Sequence, residues 1–115
     1  METATAGGIL LATTDEIEGR PVLEYFGIIT GEATMKATLT AAQLAGATRH
    51  GRLRSPKFEQ QVRETRDLAV AAMAARAIGL GATAVIAIAI GYTSVTASTG
   101  GDILVVAASG TAVLL

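Results

Sequence analysis

Gly79-Leu80-Gly81-Ala82-Thr83-Ala84-Val85-Ile86-Ala87-Ile88-Ala89-Ile90-Gly91-Tyr92 is the stretch that decides the fold. Before it, Phe58, Val62, Ala69, Met73 and Ala77 return at helical spacing, with Arg63, Glu64, Arg66 and Asp67 at other positions. From Ala82 the period drops to two. Ile86, Ile88, Ile90 and Tyr92 then share one side, and Thr83, Val85, Ala87, Ala89 and Gly91 the other. A long helix therefore ends at the paired glycines and a strand begins. The strand has a bulky face, expected to lie on the helix, and a small one, expected to be free for a neighbour.

Working outward, the long helix spans about Pro56 to Ile78, with Ser55 as N-cap, proline at the first helical position and Glu59 in the first turn. Ala37 to Ala47 reads as a short helix, and Thr48 to Pro56 as a basic loop. Ile9 to Thr14 is a short β-prone run, followed by a polar turn over Asp15 to Pro21. Val22 to Met35 is a long extended segment, with Val22, Phe26 and Ile28 on one side and Leu23, Tyr25 and Ile29 on the other. After a turn at Ser98–Asp102, Ile103 to Leu115 forms an antiparallel hairpin partner for the isoleucine strand. The expected fold is α+β: antiparallel strands in the order β-β-α-α-β-β, packed with one long and one short helix.

Length and composition narrow the function. A chain of 115 residues has room for one domain, residues 1–115, with a core that needs no staples. It has no cysteine, so neither disulfide nor thiolate chemistry is available, and a cytoplasmic site is the default. A net charge of -1 gives no global attraction to nucleic acid or to anionic lipid. Leu68 to Ile90 is long enough to span a membrane, but it is rich in Ala and Gly and changes period partway, so no membrane partner is expected. After Arg76 only Asp102 carries a side-chain charge. Neutral surfaces of that extent mark contacts, and self-association is expected.

The chemical motifs are weak. Gly79-x-Gly81-x-x-Ala84 has the letters of a dinucleotide fingerprint, but it closes a helix instead of opening one, so a helix C-cap is expected and no cofactor. His50 is the only histidine and lies among Arg49, Arg52, Arg54 and Lys57, where the field repels cations. No other histidine exists to activate a serine or threonine nucleophile and nothing in the spacing recommends a lysine or carboxylate base, so no catalytic residue is assigned and the chain is read as not an enzyme. The Arg49–Lys57 loop lacks the interleaved aromatics of a nucleic-acid surface.

Glu24-Tyr25, Gly31-Glu32-Ala33, Gly79-Leu80-Gly81-Ala82 and Ser109-Gly110-Thr111-Ala112-Val113 resemble the YbjQ-like family of small bacterial proteins, and Arg54-Ser55, Glu59, Arg63 and Arg66 fit the same pattern. The resemblance implies an α+β fold assembled into a homopentameric ring, under a label of heavy-metal binding. Relatives carry acidic side chains where this chain has Thr83, Ala89 and Gly91, and losing these hard-cation ligands argues against a metal site. The expected function is a structural self-assembly protein, a pentamer or a larger assembly of pentamers, with Ala72, Thr83, Ala87, Ala89 and Gly91 at its interface. Two alternatives stand beside it: a metal-binding module using Glu24, Glu32 or Asp102, and an engineered assembly subunit, suggested by the runs Ala69–Ala77 and Ala82–Ile90.

Overall fold

The computed structural model describes residues 3–36, 56–96 and 101–115. These form β1 (Thr3–Ala6), β2 (Ile9–Ala12), β3 (Glu24–Lys36), α1 (Pro56–Gly79), β4 (Ala84–Thr96) and β5 (Asp102–Leu114). The five strands make one sheet in the order β1-β2-β4-β5-β3.

The expected architecture is corrected in three respects. The sheet is mixed, because β2 lies parallel to β4 through Leu10↔Ala84 and Leu11↔Val85, while the other pairs are antiparallel. A strand precedes the first one expected: Gly7 and Gly8, with φ of 59° and 86°, supply the two positive angles of a tight hairpin turn, and β1 folds back on β2. The described residues hold one helix, not two, since the proposed short helix Ala37–Ala47 lies outside them, as do Ser55, Arg49, His50, Arg52 and Arg54. The homo-oligomeric ring expected with this architecture is not shown by the fold of the one chain.

Helix α1 ends where the glycines direct. Ala82 N–H donates to the Ala77 carbonyl (3.1 Å) and Gly81 N–H to that of Ile78 (3.0 Å), with Gly81 at φ 87°. This is a Schellman cap, closed by the apolar pair Ala77 and Ala82. The helix lies mainly across β3 and β5 and reaches little of β4. It buries Thr65, Ala69, Met73, Ala74 and Ala77. Thr65 is tolerated in that stripe because its hydroxyl donates to the Gln61 carbonyl one turn back (2.8 Å). Met73, fully buried against Ile29, Val85 and Val106, is the large anchor in an otherwise alanine-rich face, worth about 1.5–3 kcal/mol of burial.

Two β-bulges decide which side chains face α1. Strict alternation fails in β4 between Ile86 and Ala89, where Ala87 sits at φ 55° and β4 gains one residue on β5. Val85, expected on the small face, is therefore buried under the helix with Ala112. Ile86, expected there with the other isoleucines, points to the opposite side, where it packs with Ala12, Ile17, Ala84 and Val113 beneath the segment 13–23. Beyond the bulge Ile88 returns to the helix side. In β3 the shift between Tyr25 and Gly27, with Gly27 at φ 105°, does the same: Phe26 and Ile29, expected on opposite sides, both meet the core under α1. Central β5 is regular, and both of its neighbours bend around it.

Candidate interaction surface

Above the segment 13–23 the side of the sheet turned away from α1 has no covering element among the described residues. Pairing register places Ala89 opposite Ser109 and Gly91 opposite Ala107 there, and Thr30 and Glu32 of β3 continue the same rows. Ala89, Gly91 and Ala107 are exposed. This patch is small-sided and uncharged until β3, where Glu32 and Lys36 begin its rim. On the outside of α1, Leu68 (64% exposed), Ala71 and Ala75 form a second uncharged strip.

The five interface residues expected from sequence therefore separate. Ala89 and Gly91 lie on the open sheet side. Ala87 is exposed but belongs to the bulge, its N–H donating to the Thr14 carbonyl (2.8 Å). Thr83 precedes β4 and ties the chain end to the sheet: its hydroxyl accepts from Leu115 N–H (2.9 Å) and its N–H donates to the Val113 carbonyl (2.9 Å). Ala72 is half-buried on α1. Ile90 and Tyr92, expected to lie against the helix, are exposed, as is Val95, which the sequence reading did not single out. Ile90 and Tyr92 share the helix side with Ala108 and Val106, but α1 does not extend over them.

The carboxylates offered as metal ligands are kept apart. Glu24 pairs opposite Leu114, Glu32 opposite Ala107, and Asp102 lies at the far end of β5. At ~3.4 Å per residue, Glu24 and Asp102 stand roughly 40 Å apart along the sheet. A hard cation needs its oxygens within about 2.6 Å. Glu32 instead pairs with Arg76 (3.3 Å), and Asp102 accepts from the Thr96 hydroxyl (3.3 Å). No group of three or more metal-ligating side chains occurs among the described residues. No helix among them is long and apolar enough to cross a membrane; the apolar run Leu68–Ile90 is divided between α1 and β4.

Arg76 was legible as an oddity, being the single charged residue between Asp67 and Asp102. Its guanidinium donates to the Thr30 carbonyl oxygen (2.7 Å) and to Glu32, at the outer edge of β3.

Residues 9–115 match the model of the YbjQ family, described as "Putative heavy-metal-binding". A UPF0145 protein of Carboxydothermus hydrogenoformans is 41% identical over 69 residues, which cover 60% of this chain and 64% of that protein. A UPF0145 protein of Halalkalibacterium halodurans is 36% identical over 72 residues, covering 63% and 67%. The match to the first of these thus spans less than two thirds of the relative's own length. The crystal structure of a protein of unknown function from Pediococcus pentosaceus, assigned to the DUF74 family, aligns over 94% of this chain and 98% of that one, at 18% identity and a TM-score of 0.45.

Proposed function

The chain belongs to the YbjQ family, and from the one-sided helix cover of its sheet we propose that it is a non-enzymatic structural protein of the cytoplasm that acts as a homo-oligomer. The observation that carries this reading is the uncharged sheet surface around Ala89, Gly91 and Ala107, left exposed while the other side is packed to 0% exposure at Val85, Val106 and Ala108. A sheet of this kind gains most by covering its second side, and interface cores are depleted of charge as this surface is. The strip Leu68, Ala71 and Ala75 on α1, equally uncharged, is the complementary candidate in a neighbouring copy.

Light scattering at micromolar concentration tests it. A mass that is a multiple of 11.6 kDa is expected, and a mass of 11.6 kDa overturns the reading. Metal binding, the alternative suggested by the family description, draws on Glu24, Glu32 and Asp102, which sit on separate parts of the sheet. No specific observation favours an engineered origin.

A further inference from the structure

Ala87 is the one non-glycine among the described residues with a positive φ, 55°. In that left-handed region Cβ crowds the following carbonyl oxygen, so an alanine stays there only when its surroundings hold it. Two contacts do so. Its N–H donates to the Thr14 carbonyl (2.8 Å), and the next residue, Ile88, packs against the core under α1. β5 supplies no side chain to pin the bulge: Gly110 lies opposite, where a Cβ would come within 2.6 Å of Val85 Cγ1 and 3.1 Å of Ile88 Cγ1.

Past the bulge, β4 is paired on one side only. β2 meets it at Ala84 and Val85, so from Ile88 to Thr96 the register rests on β5 alone among the described strands. The sequence does not favour the observed register. Ile86, Ile88, Ile90 and Tyr92 alternate without interruption, as in a strand with no bulge. Continuing Ile86↔Thr111 straight on would pair Ile90 with Ala107 and Tyr92 with Val105, in place of the observed Ala108 and Val106. No charged residue lies between Ile88 and Thr96 or, opposite them, between Ile103 and Gly110, so neither register buries a charge.

We infer that the bulge at Ala87 is a register switch. In the bulged state, the observed one, Ala89, Gly91 and Thr93 face the open side of the sheet. In the straight state Ala87 returns to a negative φ and releases the Thr14 carbonyl, and β4 beyond Ile86 slides by one residue on β5. Ile88, Ile90 and Tyr92 then face the open side, and Ala89 and Gly91 the helix side. The packing of Ile88 keeps the bulged state dominant. Relief of strain at Ala87 keeps the straight state within reach, at the roughly 0.1–10% of an ordinary minor conformer. The segment 13–23, through Thr14, is the clasp that decides which side chains the open surface presents. The switch belongs to a single chain and does not depend on the self-association proposed above.

The chain has no cysteine, so register is read by paired thiols. Thr93 lies opposite Val105, with Tyr92 and Ser94 one residue to either side. In the bulged register these two are equally misplaced for a disulfide with position 105, and the straight register brings Tyr92 alone opposite it. The double variants Thr93→Cys/Val105→Cys, Tyr92→Cys/Val105→Cys and Ser94→Cys/Val105→Cys are oxidised in dilute solution. Free thiols are then alkylated and the denatured chains weighed, so that only disulfides within one chain count. The first pair is expected to close fastest, the second about ten to a thousand times more slowly in proportion to the minor conformer, and the third more slowly still. Adding Ala87→Gly, which removes the strain from the bulged state, is expected to slow the second pair by about 5- to 30-fold and to leave the first unchanged. Equal rates for the second and third pairs overturn the switch, as does a second pair indifferent to Ala87→Gly. Where a cysteine pair prevents folding, relaxation dispersion at the amides of Ile88–Thr96 in the cysteine-free protein decides the matter. Dispersion that weakens in Ala87→Gly is expected, and flat profiles in both proteins overturn the switch.

Discussion

Gly31 is where the helix and sheet come closest. A Cβ built on it would overlap the Ala69 carbonyl oxygen and the Met73 amide nitrogen, both backbone atoms of α1. Backbone cannot rotate aside as a side-chain tip can, so α1 would have to lift from β3 and loosen the seat of Met73. Gly31→Ala is therefore expected to destabilise the fold by about 3 kcal/mol, at the upper end of the overpacking range. Gly91 provides the contrast, with nothing near its Cβ position and no positive φ. Gly91→Ala is expected to stay within about 0.5 kcal/mol of the parent, as surface changes do. Urea titration of both variants at low concentration measures the difference. Equal midpoints would mean that α1 does not approach Gly31 this closely.

Among the elements, β4 carries two environments on one strand. Up to Ile86 it is buried on both sides, by α1 and by the segment 13–23; beyond the bulge at Ala87 it is exposed. A charge at Ala89 should therefore leave the subunit folded. It would be costly only when a neighbour covers it, because an unpaired carboxylate in an apolar contact loses its hydration without compensation. Ala89→Asp is expected to lower the mass seen by light scattering while the circular dichroism spectrum stays unchanged. Ala72→Glu, half-buried on α1, is expected to do the same, with some added loss of thermal stability. Loss of secondary structure in Ala89→Asp would place Ala89 in the subunit core and remove the sheet surface from the interface.

For the molecule as a whole, the distribution of charge bears on the metal label of the family. The acidic side chains Glu24, Glu32 and Asp102 are strung along the sheet, and Glu32 is engaged by Arg76. Calorimetric titration with zinc, copper and cadmium is expected to give no site tighter than about micromolar, roughly 8 kcal/mol. Without a thiol in the chain, soft ions lack their preferred ligand. Stoichiometric nanomolar binding that is lost in Glu32→Gln would reverse this conclusion and place the family label at β3.

The sequence by itself determined the local events. The helix from Pro56 to Gly79, its glycine cap, the change of period after Gly81 and the hairpin of β4 with β5 all follow from propensity and spacing within a few residues. The missed strand β1 was legible too, in the pair Gly7-Gly8. Only the tertiary structure decided the faces. A bulge adds one residue and reverses every later side chain; glycine within a strand marks a bulge or a close backbone approach, so Gly27 and Gly31 were legible as such, but Ala87 carries no such mark, because the shift in β4 is set by how that strand bends around a regular β5. The same holds for β2 beside β4 and for Arg76 at the β3 edge, residues 46 apart from Thr30 in sequence. Such contacts depend on which strands become neighbours, and periodicity along one segment contains no information about the segment lying next to it.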